Sequence, residues 1–126
     1  MFKDFDISSF KKMKPPGDNT FDTMQEIKEL ESIPLNKKFV KDNDNIEAAF
    51  KKTAKDSGVK DYDSKVAAKL ITDSAPIIVE LKKHFNRPRP KTIAKKMNIN
   101  MKDIEMESMK TPSYPSGHSV QGILIA

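Results

Sequence analysis

Apolar residues recur along this chain at helical spacing, and no stretch alternates long enough to read as a strand. Met24, Ile27, Leu30 and Ile33 fall at every third position and Pro34 closes the run, which predicts a helix over about 20–33. Asp44-Asn45-Ile46-Glu47 fits a capping box, with Asp44 as the cap and Glu47 three residues on. Ile46, Ala49, Phe50, Thr53 and Ala54 then share one face, and Gly58 stands where a helix C-terminus favours glycine. The longest pattern spans about 63–86, where Ala67, Leu70, Ile71, Ser74, Ile78, Leu81 and Phe85 form one stripe of a core helix. Pro76 lies inside it and is expected to bend it, because its ring displaces the carbonyl four residues back.

Beyond that helix the pattern breaks at Arg87-Pro88-Arg89-Pro90. Short helices are expected near 92–97 and 101–108, with most of 98–115 in loop. At the other end, residues 1–19 form an arm that packs through Phe5, Ile7 and Phe10 and closes on the turn signal Pro15-Pro16-Gly17. The fold class is all-α, in a single domain over 1–126.

Composition narrows the function. Of 126 residues, 37% are hydrophobic and 33% charged, which supports a modest core under a charged surface. With no cysteine there is neither a disulfide nor a thiolate metal site, and the two histidines lack ligand spacing, so metal catalysis is not expected. The net charge of +5 is spread among acids, without a block of five like charges. There is no tryptophan and little aromatic content beside the basic residues, so no platform for stacking bases and no nucleic-acid partner is expected. Met1–Asp6 carries acids and reads as no signal peptide, and no run approaches the roughly 20 apolar residues of a membrane span. A soluble, cytoplasmic protein is the expectation.

Within this frame a few residues stand out. Taking Ile78 as reference on the long helix, Phe85 lies about 20° to one side, Lys82 about 40° to the other, and Lys83 about 140° away. Lys82 thus borders the buried stripe while Lys83 faces water. A lysine there can simply lay its stem over the core edge. Arg89 follows after six residues, held out of helical geometry by Pro90, and its planar fork suits phosphate oxygens. Further on, Pro115-Ser116-Gly117-His118 reads as a helix start. Ser116 is a favoured N-cap, Gly117 lets backbone approach a ligand, and the first-turn amides and dipole favour an anion. His118 can exchange a proton near neutral pH. An ordinary capped helix with a surface histidine would look the same.

Taken together, "KKHFNRPRP" over 82–90 and "SYPSGHS" over 113–119 resemble the PAP2 (type 2 phosphatidic acid phosphatase) superfamily, which includes bacterial class A non-specific acid phosphatases and vanadium haloperoxidases. The resemblance covers residues 82–119 and looks closest to the acid phosphatase branch. It implies a bundle of that type that hydrolyses phosphomonoesters on phosphorylated small molecules through a phosphohistidine. It implies that Lys82, Arg89, Ser116 and Gly117 hold phosphate and that His118 protonates the leaving group. It implies no cofactor, although phosphate or vanadate can fill such a site.

The family's third motif, S-R-x5-H-x3-D, which carries the nucleophilic histidine, is not found in this sequence, and His84 matches no family role. The expectation is therefore a C-terminally incomplete bundle, inactive by itself. Val120, Ile123, Leu124 and Ile125 would leave the 120–126 helix exposed, open to a complementing chain or a second copy. The alternative functions are an oxyanion-binding module, or an assembly protein, without catalysis.

Overall fold

The computed structural model describes residues 2–102 and 104–126, so Met1 of the arm and Asp103 of the expected 101–108 helix lie outside it. Among the described residues the chain is all-helical. The elements are α1 (Ile7–Phe10), α2 (Phe21–Ser32), α3 (Lys37–Asn43), α4 (Ile46–Asp56), α5 (Ser64–Phe85), α6 (Pro90–Lys96), a 3₁₀ turn at Glu107–Met109, and α7 (Gly117–Ile125).

Local chemistry explains most boundaries. The Thr20 hydroxyl caps α2 by accepting from the Thr23 amide at 3.3 Å. Fully buried Thr23 in turn donates its hydroxyl to the Gly17 carbonyl at 2.6 Å, which fastens the turn before the helix. Asp63 caps α5 by accepting from the amides of Lys65 and Val66. That helix runs unbroken through Pro76 and ends at Asn86, a left-handed residue (φ 47°) whose amide bonds to the Lys82 carbonyl at 2.8 Å. Gly58, at φ 73°, turns the chain after α4.

The structure departs from the sequence pattern at four places. The helix α3 had no clear signal in the pattern, yet it forms, with Asn36 capping it through the Phe39 amide at 2.9 Å. Because α3 carries the chain to Asp44 in helical geometry (φ −65°, ψ −33°), Asp44 cannot cap α4. Extended Asn45 does so instead, accepting from the Ala48 amide at 3.0 Å. Of the expected 101–108 helix, only the 3₁₀ turn at Glu107–Met109 forms among the described residues. The preceding helix starts two residues earlier than expected, at Pro90, whose missing N–H costs nothing in the first turn.

The core is small. Ile27 of α2 and Ile93 and Ala94 of α6 form one cluster, with Met97, Ile99 and Met101 against it. Ala67, Ile78 and Leu81 of α5 form the other buried surface, over which α4 and α7 lie. Of the α2 stripe only Ile27 is buried, while Leu30 and Ile33 are 41% and 59% exposed. Along α7 the 120–126 flank is less open than expected: Val120, Leu124 and Ile125 are half-buried and Ile123 alone of the four is exposed. Gly122 faces α4 there, where a Cβ would make an ordinary contact of 3.8 Å with Ile46 Cδ1.

Among the described residues, two side-chain bonds from distant parts of the chain also hold the arm. Lys11 pairs with Glu80 of α5 at 3.0 Å, and the Tyr114 hydroxyl donates to the Met13 carbonyl at 2.8 Å. Among the described residues no helix is long and apolar enough to cross a membrane.

Candidate functional site

Lys82, Arg89, Ser116, Gly117 and His118 line one cavity of about 370 Å³, together with Asp44, Ser108 and residues of the 106–111 segment. The fold brings these distant residues together through a short chain of bonds. Ser113 donates its amide to the Arg87 carbonyl at 2.9 Å and its hydroxyl to the Pro88 carbonyl at 2.9 Å. Tyr114 stacks edge-on against Phe85 at 4.9 Å. These contacts lay 111–116 along the end of α5 and the arginine-proline link, so α7 starts beside both cations.

Lys82 sits in the last turn of α5, 6% exposed, while Lys83 is exposed. The Lys82 ammonium donates to the Pro112 carbonyl at 2.5 Å. Arg89, extended at φ −65° and ψ 151° before Pro90, aims its guanidinium the same way. Its Nε donates to the Thr111 carbonyl at 2.7 Å and its Nη2 to the Ser108 carbonyl at 2.9 Å. Burial, and then the Arg89 charge, push the Lys82 ammonium below the usual lysine range. Burial likewise pushes Arg89 down.

The partners of these cations are telling. Among the described residues neither Lys82 nor Arg89 is ion-paired with a carboxylate; both hold neutral carbonyl oxygens. Two partly desolvated cations on one cavity wall leave a positive field that a tetrahedral anion would neutralise. Arg87, one proline away, differs. It pairs with Glu26 at 3.0 Å and donates to Thr23 at 3.2 Å, tying α2 to the end of α5.

The helix start supplies the opposite wall. The Ser116 hydroxyl oxygen accepts from the Ser119 amide at 3.2 Å, the N-cap bond that the sequence implies. That bond uses an acceptor site and leaves the hydroxyl hydrogen free to donate. The Gly117 and His118 amides open the helix, where no carbonyl of its own can reach them. Nothing in the chain demands glycine at 117: its φ is not positive, and a Cβ would meet only Ile78 Cγ2, at an ordinary 3.8 Å. His118 is exposed on the cavity wall. His84 lies elsewhere, edge-on to Phe85 and lining a separate hollow with Arg87 and the 14–18 turn.

Two wall residues were missed or misread from sequence. Ser108 had no signal. Asp44 was read as a helix cap, but its carboxylate accepts from the Ser108 hydroxyl at 2.5 Å and lines the cavity. Among the described residues no three His, Cys, Asp or Glu side chains group as metal ligands. No family model, no curated protein and no solved structure matches this chain.

Proposed function

We propose that this chain carries the phosphate-holding part of a PAP2-type acid phosphatase site acting on phosphomonoesters. Lys82, Arg89, the Ser116 hydroxyl and the Gly117 amide hold the phosphoryl oxygens, and His118 is the general acid. The observation that carries it is the meeting of two partly buried cations, without carboxylate partners, with a helix start and a histidine in one cavity. Donors fixed in advance around the transferring group stabilise its charge as the ester bond lengthens, without reorganising at that moment. A nearby imidazolium then gives its proton to the departing alkoxide.

That chemistry needs a second histidine at the cavity, which attacks phosphorus and is later freed by water. His84 lies elsewhere, so in this scheme the nucleophile is supplied from outside the 126 residues. An oxyanion-binding module without chemistry is the second function that fits, favoured by the single histidine on the cavity wall.

Calorimetric titration of inorganic phosphate tests the site. Lys82→Ala and Arg89→Ala should each weaken binding by about 10- to 100-fold, the worth of a charge-assisted bond of about 1.5–3 kcal/mol. Unchanged affinity in both variants would remove the site. Turnover of an aryl phosphate should be absent from these 126 residues alone. Robust turnover that His118→Ala abolishes would show that no outside nucleophile is needed.

A further inference from the structure

We infer that Asp44 is a specificity-determining residue of this cavity, favouring an oxyanion that still carries a proton, such as phosphate, over one that carries none, such as sulfate. The inference rests on the cavity being an oxyanion site, as proposed above.

Asp44 follows α3 and is half-buried. The titratable groups on the cavity wall, among the described residues, are Asp44, Lys82, Arg89 and His118, so it is the wall's one carboxylate. Its position is fixed by a single residue. The Ser108 hydroxyl donates to Asp44 Oδ1 at 2.5 Å, while the Ser108 carbonyl accepts from Arg89 Nη2 at 2.9 Å. One residue's breadth therefore separates the carboxylate from the guanidinium. Asp44 is not spent on helix capping, which Asn45 performs, and among the described residues it forms no ion pair with a lysine or arginine.

A carboxylate on the wall of an anion site is a repulsive element, and its effect depends on the proton content of the ligand. It is acceptor-only, with about four lone-pair sites, of which Ser108 uses one. Phosphate near neutral pH keeps at least one proton and can donate a P–OH hydrogen to Asp44. Sulfate has none and meets only repulsion. The two anions share size and shape, so the cations and helix amides alone discriminate little between them. Specificity of this kind comes from an unfavourable contact with the wrong ligand.

The test is titration of inorganic phosphate and of sulfate, at one neutral pH and ionic strength, into the wild-type chain and Asp44→Asn. The wild type should bind phosphate at least about tenfold more tightly, as one charge-assisted bond predicts. D44N should bring the ratio near one, chiefly by gaining sulfate affinity. Asp44→Ala, which can neither accept nor donate there, is measured alongside and should lose the same preference, with melting curves confirming that each variant folds. Equal wild-type affinities, or a ratio that survives both substitutions, overturn the role of Asp44 and leave the oxyanion site standing. A wild-type chain that binds neither anion overturns both.

Discussion

Replacing Gly117 by alanine should stabilise the protein and damage its site at once. The added Cβ lies 3.8 Å from Ile78 Cγ2, an ordinary contact, and apart from its chain neighbours and its own helix backbone meets no other atom of the described residues within 4 Å. The φ at this position is not positive, so alanine adopts the backbone without strain. Under those conditions Gly→Ala stabilises by about 0.4–1 kcal/mol, mainly by restricting the unfolded chain. For a domain of this size that is a rise in melting temperature of about 2–6 °C. Anion binding should move the other way. Gly117 lines the cavity, and a methyl there crowds an oxyanion approaching the first-turn amides. Losing one such bond costs about 1–2 kcal/mol, or roughly 5- to 30-fold in phosphate affinity. Calorimetry on the two forms, with melting curves from the same preparations, measures both effects. A variant that melts higher and binds phosphate unchanged would take the Gly117 amide out of the cradle. One that melts lower would show that the fold needs glycine for a reason the 3.8 Å clearance does not reveal.

Arg89→Lys should fail to replace arginine, because one ammonium cannot bridge both the Thr111 and Ser108 carbonyls while facing an anion; phosphate affinity should fall about tenfold or more by calorimetry. Lys82 has its ammonium pushed below the usual lysine range, so its buried charge costs stability below that lowered value and the cost is relieved as pH rises towards the ordinary one. Thermal melts across that alkaline window should therefore show the wild type gaining on Lys82→Met, while phosphate affinity falls as the ammonium loses its proton; a constant difference would contradict the burial argument. Asn45→Ala should destabilise by about 1 kcal/mol in urea denaturation, whereas Asp44→Ala made in a Ser108→Ala background, where its hydrogen bond to Ser108 is already gone, should cost under about 0.5 kcal/mol, since the cap of α4 is Asn45. The reverse order would restore Asp44 as the cap.

Much of the molecule is legible from neighbouring residues alone. The α5 stripe, the burial of Lys82 beside exposed Lys83, the break at Pro88 and the cap at Ser116 all follow from rules that reach three or four residues along the chain. The helical class follows likewise, because periodicity is a local property. Elsewhere local rules chose wrongly or were silent. Asp44 and Asn45 are both good caps, and the choice fell to Asn45 only because an unforeseen helix delivers Asp44 in helical geometry. Leu30 and Ile33 keep the spacing of a buried stripe, yet both stay exposed, at 41% and 59%.

The cavity belongs to tertiary structure. Arg89 finds its partners 19 and 22 residues away, Lys82 at 30, and Asp44 meets Ser108 across 64. No repeat or propensity encodes such separations. They arise when buried donors must each find an acceptor once α5, α6 and the 106–116 segment close around them, because an unpaired polar group in that space costs more than the ordering it requires. The sequence by itself set which side chains could hold an anion; only the packed fold decided that they share one cavity, with a carboxylate on its wall.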